Sequence, residues 1–418
     1  MVEELDVREA ISSPLSPPST PQPMDEVAHE DAAARSTGLS EVDRVLGGGL
    51  VPGSVTLVGG EPGIGKSTLV LQLLGAAAKT GLRGLYVSGE ESAAQVRGRA
   101  DRLSAVHPDV WLVAETVLPH IVGHLEEIKP DLVVIDSVQT LHDPVLASAP
   151  GSVAQVRECA HTLVQHAKRA GTGVLLVGHV TKEGTLAGPR VLEHVVDTVL
   201  EFEGDRHHGL RLLRASKHRF GPTNEVGLLQ MDGSGLTPVD DPSGLFLSDR
   251  VTGVSGSGIV PTVDGNRPLL IEVQALVAQS QLTNPRRSAQ GIDQGRLAML
   301  LAVIERRCGI PVMANDVYAL AVGGVRVTDP GADAALALAI VSSLTGQPLP
   351  DDLVAIGEVG LGGELRHVGH LERRLTESAR MGFRRAIVPK AATVDVPELE
   401  ILRAPTLAAA MALAGFVD

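Results

Sequence analysis

The 418-residue chain is long enough for two domains and a tail, and its 44% hydrophobic content allows sizeable cores. A formal charge of −14 and an aromatic content of 2% disfavour a large non-specific nucleic-acid surface built on base stacking. Two cysteines, Cys159 and Cys308, cannot make a four-cysteine zinc site or a disulfide framework, and no apolar run approaches the roughly 18 residues that span a bilayer, so a cytoplasmic protein with no membrane partner is expected.

Residues 1–35 are rich in Ser, Pro, Asp and Glu and alone account for −6 of the formal charge. Such a segment buries too little apolar surface to offset ordering entropy, so it reads as a disordered tail. A short helix over Leu39, Val42 and Leu46 and a Pro52-Gly53 turn then lead into an apolar run, Ser54–Val58. From 84 to 200 the pattern alternates. Strands are expected at 84–88, 110–114, 131–136, 173–178 and 195–202, with helices at 91–104, 117–128 and 152–170. Alternation of this kind predicts an α/β domain with a mostly parallel sheet and helices on both faces. Antiparallel strands over 208–232 close the domain near 235, and 236–256 reads as a linker. The remainder, 257–418, reads as α+β. It holds a hairpin of 257–262 with 269–277, a helix at 293–308, a strand at 316–322, a helix at 332–345, a second hairpin over 353–368, a helix at 371–381 and a strand at 385–389.

The chemistry concentrates in Gly59-Gly-Glu-Pro-Gly-Ile-Gly-Lys-Ser-Thr68, in which Gly60, Gly65, Lys66 and Ser67 fill the pattern G-x-x-x-x-G-K-[ST]. A strand precedes it and a helix follows, as a P-loop requires. Gly60, Glu61, Pro62, Gly63, Ile64 and Gly65 would cradle phosphates with backbone N–H groups, and Lys66 would reach the β- and γ-phosphates of ATP. Ser67 would ligate Mg²⁺, and Thr68 completes the loop. The run Leu132-Val-Val-Ile-Asp136 is a buried strand ending in a carboxylate suited to the metal's water shell. Glu90, or failing it Glu91, follows the strand 84–88, where a RecA-type ATPase keeps the group that orients water. His179 ends the strand 173–178 and is a candidate γ-phosphate sensor. The loop 181–190, with Lys182 and Arg190, suits contact with DNA phosphates. Lys217 and Arg219 lie two apart near a strand end, as either a pair reaching a neighbour's nucleotide or a solvated basic hairpin.

The glycine loop, Tyr86-Val-Ser-Gly-Glu-Glu-Ser92 and Lys217-His-Arg-Phe-Gly-Pro-Thr-Asn-Glu-Val226 together resemble the bacterial RadA (Sms) DNA-repair family from about residue 36 onward. His218 stands where that family usually has Asn. The resemblance implies a RecA-like ATPase joined to a Lon-peptidase-like domain, acting as a DNA-dependent, helicase-like motor in homologous recombination. It further implies a homohexameric ring with single-stranded or branched DNA in its channel, loops 140–152 and 181–190 facing that DNA, recombinase RecA as a partner, and Lys217 and Arg219 acting across the subunit boundary. The family normally begins with a four-cysteine zinc motif that this sequence lacks, either because the zinc module is absent or because the given start is not that of a usual member; ATP and Mg²⁺ are expected cofactors and zinc is not. Alignment to the Lon dyad puts Gly331, or Ala332 one residue on, at the Ser position and Arg374 at the Lys position. Neither Gly nor Ala is a nucleophile and Arg is no base, so no peptidase activity is expected. The arginines 366, 373, 374, 380, 384 and 385 form a candidate duplex-binding cluster, against the plainer reading of a solvated face. The rival functions are a regulatory RecA-fold ATPase assembling on protein partners and an ATP-dependent peptidase.

Overall fold

The computed structural model describes residues 23, 33–178, 190–204 and 209–416. The compact unit over 34–418 carries two large sheets. The first contains β1 (Val55–Gly60), β2 (Gly84–Ser88), β3 (Val110–Ala114), β4 (Leu132–Asp136), β5 (Gly173–Val177), β6 (Thr198–Gly204), β7 (Leu210–His218), β8 (Val226–Asp232) and β9 (Gly235–Pro238). Their order is β3-β2-β4-β5-β1-β6-β7-β8-β9, parallel from β3 through β6 and antiparallel beyond.

Both faces of the parallel part are covered, which is why its strands read as unbroken apolar runs rather than alternating ones. The period-2 geometry of a strand sends Tyr86, Leu132 and Val134 to one face and Leu85, Val87, Val133 and Ile135 to the other. The first face packs on α1 (Ser40–Val45), α2 (Lys66–Lys79) and α3 (Ala93–Arg102) through Val42, Leu69, Leu73 and Val96. The second packs on α4 (Leu118–Ile128) and α5 (Val153–Ala170) through Ile121, Leu125, Cys159 and Leu163. Burial raises the Cys159 thiol pKa to about 11, so it is a packing residue. A one-turn α6 (Arg190–Glu193) precedes β6.

The segment 236–256 is not featureless. It holds the end of β9 and a short α7 (Pro242–Leu247), whose Ser243 hydroxyl is buried against Glu377. The second sheet then forms from β10 (Ser257–Asp264), β11 (Arg267–Gln279), β12 (Arg287–Gln290), β13 (Asn315–Ala321), β14 (Leu353–Ala355), β17 (Arg385–Pro389) and β18 (Glu400–Ala404). Its order is β12-β13-β11-β10-β14-β17-β18. The hairpin expected over 353–368 is divided. β14 pairs with β10 and β17 in the large sheet, while β15 (Glu358–Val359) and β16 (Leu365–Arg366) alone make a small hairpin. Gly357, at φ +159°, lies between the two. Helices α8 (Gln294–Cys308), α9 (Asp333–Thr345), α10 (Leu371–Arg380) and α11 (Leu407–Leu413) pack on this sheet. Among the described residues no helix is long and apolar enough to cross a membrane.

Glu115 braces the turn that leads into α4. One carboxylate oxygen accepts from the Thr116 and Val117 amides at 2.7 and 2.9 Å, and the other lies 2.9 Å from His120 Nδ1. The amide of Val117 and the His120 bond hold its pKa at about 2, below the usual 4.5. A carboxylate with a depressed folded pKa adds stability that is complete above its unfolded pKa and is lost as pH falls through the folded one. The acid limb of the Tm profile between about pH 4.5 and 2 is therefore expected to be shallower in Glu115→Gln, with a lower Tm at neutral pH. Thermal melts across pH 2–7 check it.

Candidate active site at the glycine loop

The loop after β1 turns at Gly63 (φ +76°) and Gly65 (φ +114°), conformations that side chains resist. A side chain on Gly60 would run into the Phe202 carbonyl of β6, and one on Gly65 into Met231 of β8. The loop therefore lies directly on the neighbouring strands. Lys66 is buried at the start of α2 and its Nζ donates to the carbonyls of Gly60 (2.9 Å) and Glu61 (3.1 Å). Burial lowers its pKa, and the nearby charges of Asp136 and Glu90 oppose that shift. Both carboxylates are thus close enough for their charge to act on the lysine. Ser67 and Thr68 follow in the first turn of α2, half-buried beside it.

The two glutamates after β2 have different surroundings. Glu91 is tied back to α3 by an ion pair with Arg99 at 2.6 Å, and its backbone is held at both ends by the Ser88 hydroxyl. Glu90 instead accepts from the Ser137 hydroxyl at 2.6 Å, just beyond β4. Tyr86 is buried in β2 and its phenol donates to Asp136 Oδ2 at 2.6 Å. Burial and the Asp136 charge push the Tyr86 pKa up, so the phenol stays a donor. Gly89 leaves room here, since a side chain on it would overlap Thr140 Oγ1. Neither Tyr86 nor Ser137 carries a sequence signature of this role. Their one signal is proximity, Tyr86 four positions before Glu90 and Ser137 next to Asp136.

The oxygen donors Ser67 and Asp136, with no thiol or imidazole among them, suit a hard divalent cation such as Mg²⁺ bound with phosphates and water. The glycine cradle at the N-terminus of α2 suits the phosphates themselves. The expectations on His179, Lys182 and the side chain of Arg190 lie outside the described residues.

Lys217 and Arg219 are placed at the opposite edge of the sheet. Lys217 pairs with Val199 and the Arg219 amide with the Asp197 carbonyl, whereas Gly60 pairs with Phe202. At about 3.3 Å per residue they stand roughly 10–17 Å below their own glycine loop. Lys217 Nζ caps the carbonyls of Glu193 and Val196 at 2.6 and 2.7 Å, and burial together with Arg219 lowers its pKa. Arg219 pairs with the buried Asp197 at 3.1 Å and stays half-exposed.

In the second domain Gly331 and Arg374 do meet. A Cβ on Gly331 would lie 3.3 Å from Arg374 Nη1. Arg374 is buried and bonded to Asp329, to the Pro261 carbonyl (2.8 Å) and to the Gly369 carbonyl (2.9 Å). It is thus not part of a surface cluster, which corrects the grouping with its neighbours in sequence. Of the other five arginines, Arg366 pairs with Glu364, Arg380 with Asp241 and Glu377, and Arg385 with Asp352. Arg373 bonds only the Asn266 carbonyl, so three of the five are engaged in ion pairs with neighbouring carboxylates.

Sheet order, glycine loop and nearby carboxylates define a RecA-like P-loop ATPase domain followed by an α+β domain. Residues 18–185 match the family model of an AAA domain, and residues 315–406 match that of the Lon protease (S16) C-terminal proteolytic domain. The DNA repair protein RadA of Pseudomonas aeruginosa is 53% identical over 87% of this chain and 80% of its own length. Those of Mycolicibacterium smegmatis (50%, over 90% and 81%) and Halalkalibacterium halodurans (48%, over 88% and 81%) are similar to the same extent. The chain belongs to the RadA family. A KaiC-like protein of Pyrococcus horikoshii aligns at a TM-score of 0.42 and 19% identity over 50% of this chain and 99% of its own, and the fold assignment stands on the sheet and the family rather than on that likeness.

Tyr86→Phe removes one hydrogen bond to Asp136 and keeps the ring. The Mg²⁺ concentration for half-maximal ATP turnover is expected to rise about fivefold, the equivalent of about 1 kcal/mol. A magnesium titration of the steady-state rate, with Asp136→Asn as the stronger comparison, checks it.

Proposed function

We propose that this chain is a DNA-dependent ATPase motor of recombinational DNA repair, working as a homohexameric ring on single-stranded and branched DNA and promoting branch migration. Its relatives are named DNA repair proteins, and the observation that carries the reading is the division of its charged groups between two sheet edges. Lys66, Glu90 and Asp136 gather at the edge carrying the glycine loop. Lys217 and Arg219 lie at the other, too far to serve their own loop, which supports a role for them at a neighbour's. In this reading the ATPase domain spans 36–235 and the Lon-like domain 257–418, after a tail at 1–35. RecA is the partner recombinase, and the loops 140–152 and 181–190, with Lys182 and Arg190, face the DNA.

The chemistry assigned to each group follows from its surroundings. The loop amides and Lys66 hold the phosphates. Ser67 and Asp136, the latter oriented by Tyr86, would hold Mg²⁺, which when bound would supply positive charge to offset that of the phosphates. Glu90, held by Ser137, accepts a proton from the attacking water and aims it in line. His179 senses the γ-phosphate. Arg219 and Lys217 leave their intrachain partners to stabilise charge on the neighbour's transferring phosphoryl group. The second domain is a scaffold, because Gly331 offers no nucleophile and Arg374 no base.

ATP hydrolysis measured with and without single-stranded DNA over a salt series tests the motor. Stimulation is expected, fading as salt rises because phosphate contacts release counterions. Lys66→Ala should abolish turnover, and Glu90→Gln should lower kcat by about 10²-fold or more at little change in KM. A DNA-indifferent rate abolished by Lys66→Ala keeps the ATPase and discards the motor.

Arg219→Ala should lower kcat by about 10²-fold or more as well. The trans assignment is read from mixtures. Arg219→Ala subunits mixed with Glu90→Gln subunits should regain activity above either variant alone, because each boundary that joins the intact Glu90 of one variant to the intact Arg219 of the other has both groups. Mixtures no more active than their components would place Arg219 outside the neighbour's site.

A further inference from the structure

A buried arginine that no motif identifies touches the glycine loop from the side. Arg211 is the second residue of β7 and is 5% exposed. Its Nε donates to the Ile64 carbonyl at 2.8 Å, and its Nη1 to the Leu210 carbonyl at 2.9 Å. The Ile64–Gly65 peptide is trans, so its carbonyl and its N–H point in opposite directions. Pulling the Ile64 carbonyl towards β7 therefore turns the Gly65 amide away from β7 and into the cradle.

Little else in the loop can set that peptide plane. Gly65 has no side chain to pack, and at φ +114° it has the widest conformational freedom of any residue type. The space a Cβ would fill is taken by Met231, with Phe202 3.7 Å away. Ile64 is anchored by its buried side chain and by its amide on the Glu61 carbonyl at 3.3 Å, both on the other side of its Cα. The direction of the next amide is left to the partner of the Ile64 carbonyl.

We propose that Arg211 is a positioning residue for phosphate binding: its hydrogen bond to the Ile64 carbonyl holds the Ile64–Gly65 peptide so that the Gly65 N–H points at the nucleotide's phosphates. Arg211 itself stays in the protein interior and acts through the backbone. This rests on the glycine loop being the ATP site.

The test compares Arg211→Met, which keeps bulk and loses the donor, with Arg211→Lys, which keeps one donor. KM for ATP should rise about tenfold in Arg211→Met with kcat changed by less than about threefold, and Arg211→Lys should fall between it and wild type. Inhibition by inorganic pyrophosphate should weaken in the same ratio, because the amide reads phosphate rather than base. A residue that only fills space would lower the Tm and leave KM and pyrophosphate inhibition unchanged. That outcome in a folded Arg211→Met protein overturns the proposal. Should Arg211→Met not fold, Arg211→Lys decides alone: a KM about two- to fivefold above wild type supports the role, and a KM equal to wild type overturns it. Wild-type protein that neither hydrolyses ATP nor is held by pyrophosphate removes the ATP reading and this inference with it. A working wild type with unaffected variants removes only the role of Arg211.

Discussion

A phosphate cradle made of backbone amides has to turn its carbonyls outward and find partners for them. This constraint orders the nucleotide end of the molecule. Each outward carbonyl of the loop for which a side-chain partner is seen meets a cation: Lys66 takes those of Gly60 and Glu61, and Arg211 takes that of Ile64. Removing water from such carbonyls without a donor would cost about 1–3 kcal/mol each. The partners come from opposite directions, Lys66 from α2 and Arg211 from β7. The carboxylates whose charge acts on Lys66 arrive across β5 from β4 and β2. The loop works only because β1 lies between these two groups of strands.

The same sheet ties the nucleotide end to the second domain. The tip of the β10–β11 hairpin lies against the strands β7 and β8. Asp264 makes a two-bond pair with Arg214 at 2.5 and 2.6 Å, and the Asn266 amide donates to the Asn224 carbonyl at 2.7 Å. Gly265 leaves no room for a side chain against that carbonyl. Arg267 pairs with the buried Glu41, which also accepts from the Leu228 amide at 2.7 Å. Leu210, Val226 and Leu228 share one apolar core with Leu269 and Ile271. The strand that carries Lys217 is thus fastened by β6 on one side, by β8 on the other, and through Arg214 by the second domain. Close-packed interiors transmit displacement rather than absorb it, so a shift at one end of β7 reaches the hairpin.

Much of this architecture is written in local patterns. Buried parallel strands announce themselves as unbroken apolar runs, and the glycine loop carries its own context of strand and helix. Short elements do not: β9, β12, α7, β18 and α11 are four to seven residues each, too few for a period to emerge. The division of 353–368 between two sheets depends on which strand β14 finds, a long-range matter. At the site, the glycine loop and Asp136 stand out because their chemistry is sequential. Tyr86, Ser137 and Arg211 do not, because each acts on a residue distant in the chain, 147 positions away in the case of Arg211 and Ile64. Arg211 and Arg214 look alike in Leu-Arg-Leu-Leu-Arg. Three positions apart on a strand, they point to opposite faces, one to the loop and one to Asp264.

The second domain shows how one buried arginine can hold several segments together. Arg374 and Gly331 stand together where the Lon-like alignment puts them, yet Arg374 is fully engaged. Its planar fork spans the Pro261 carbonyl, the Gly369 carbonyl and Asp329, groups on β10, on the turn before α10 and on the turn before α9. Asp329 in turn accepts from the Thr262 hydroxyl at 3.0 Å and the Gly331 amide at 2.9 Å. Burial alone would raise the pKa of this carboxyl, but the Arg374 guanidinium beside it holds it low. A lysine's single ammonium could not span carbonyls on two sides of the carboxylate in one plane. The arginine therefore does what no lysine base could do, cross-linking three segments, and an uncompensated Asp329 or Arg374 would be costly in so buried a place. Arg374 and Asp329 thus form a strut, and the second domain's sheet is the platform on which the β10–β11 hairpin meets the ATPase strands.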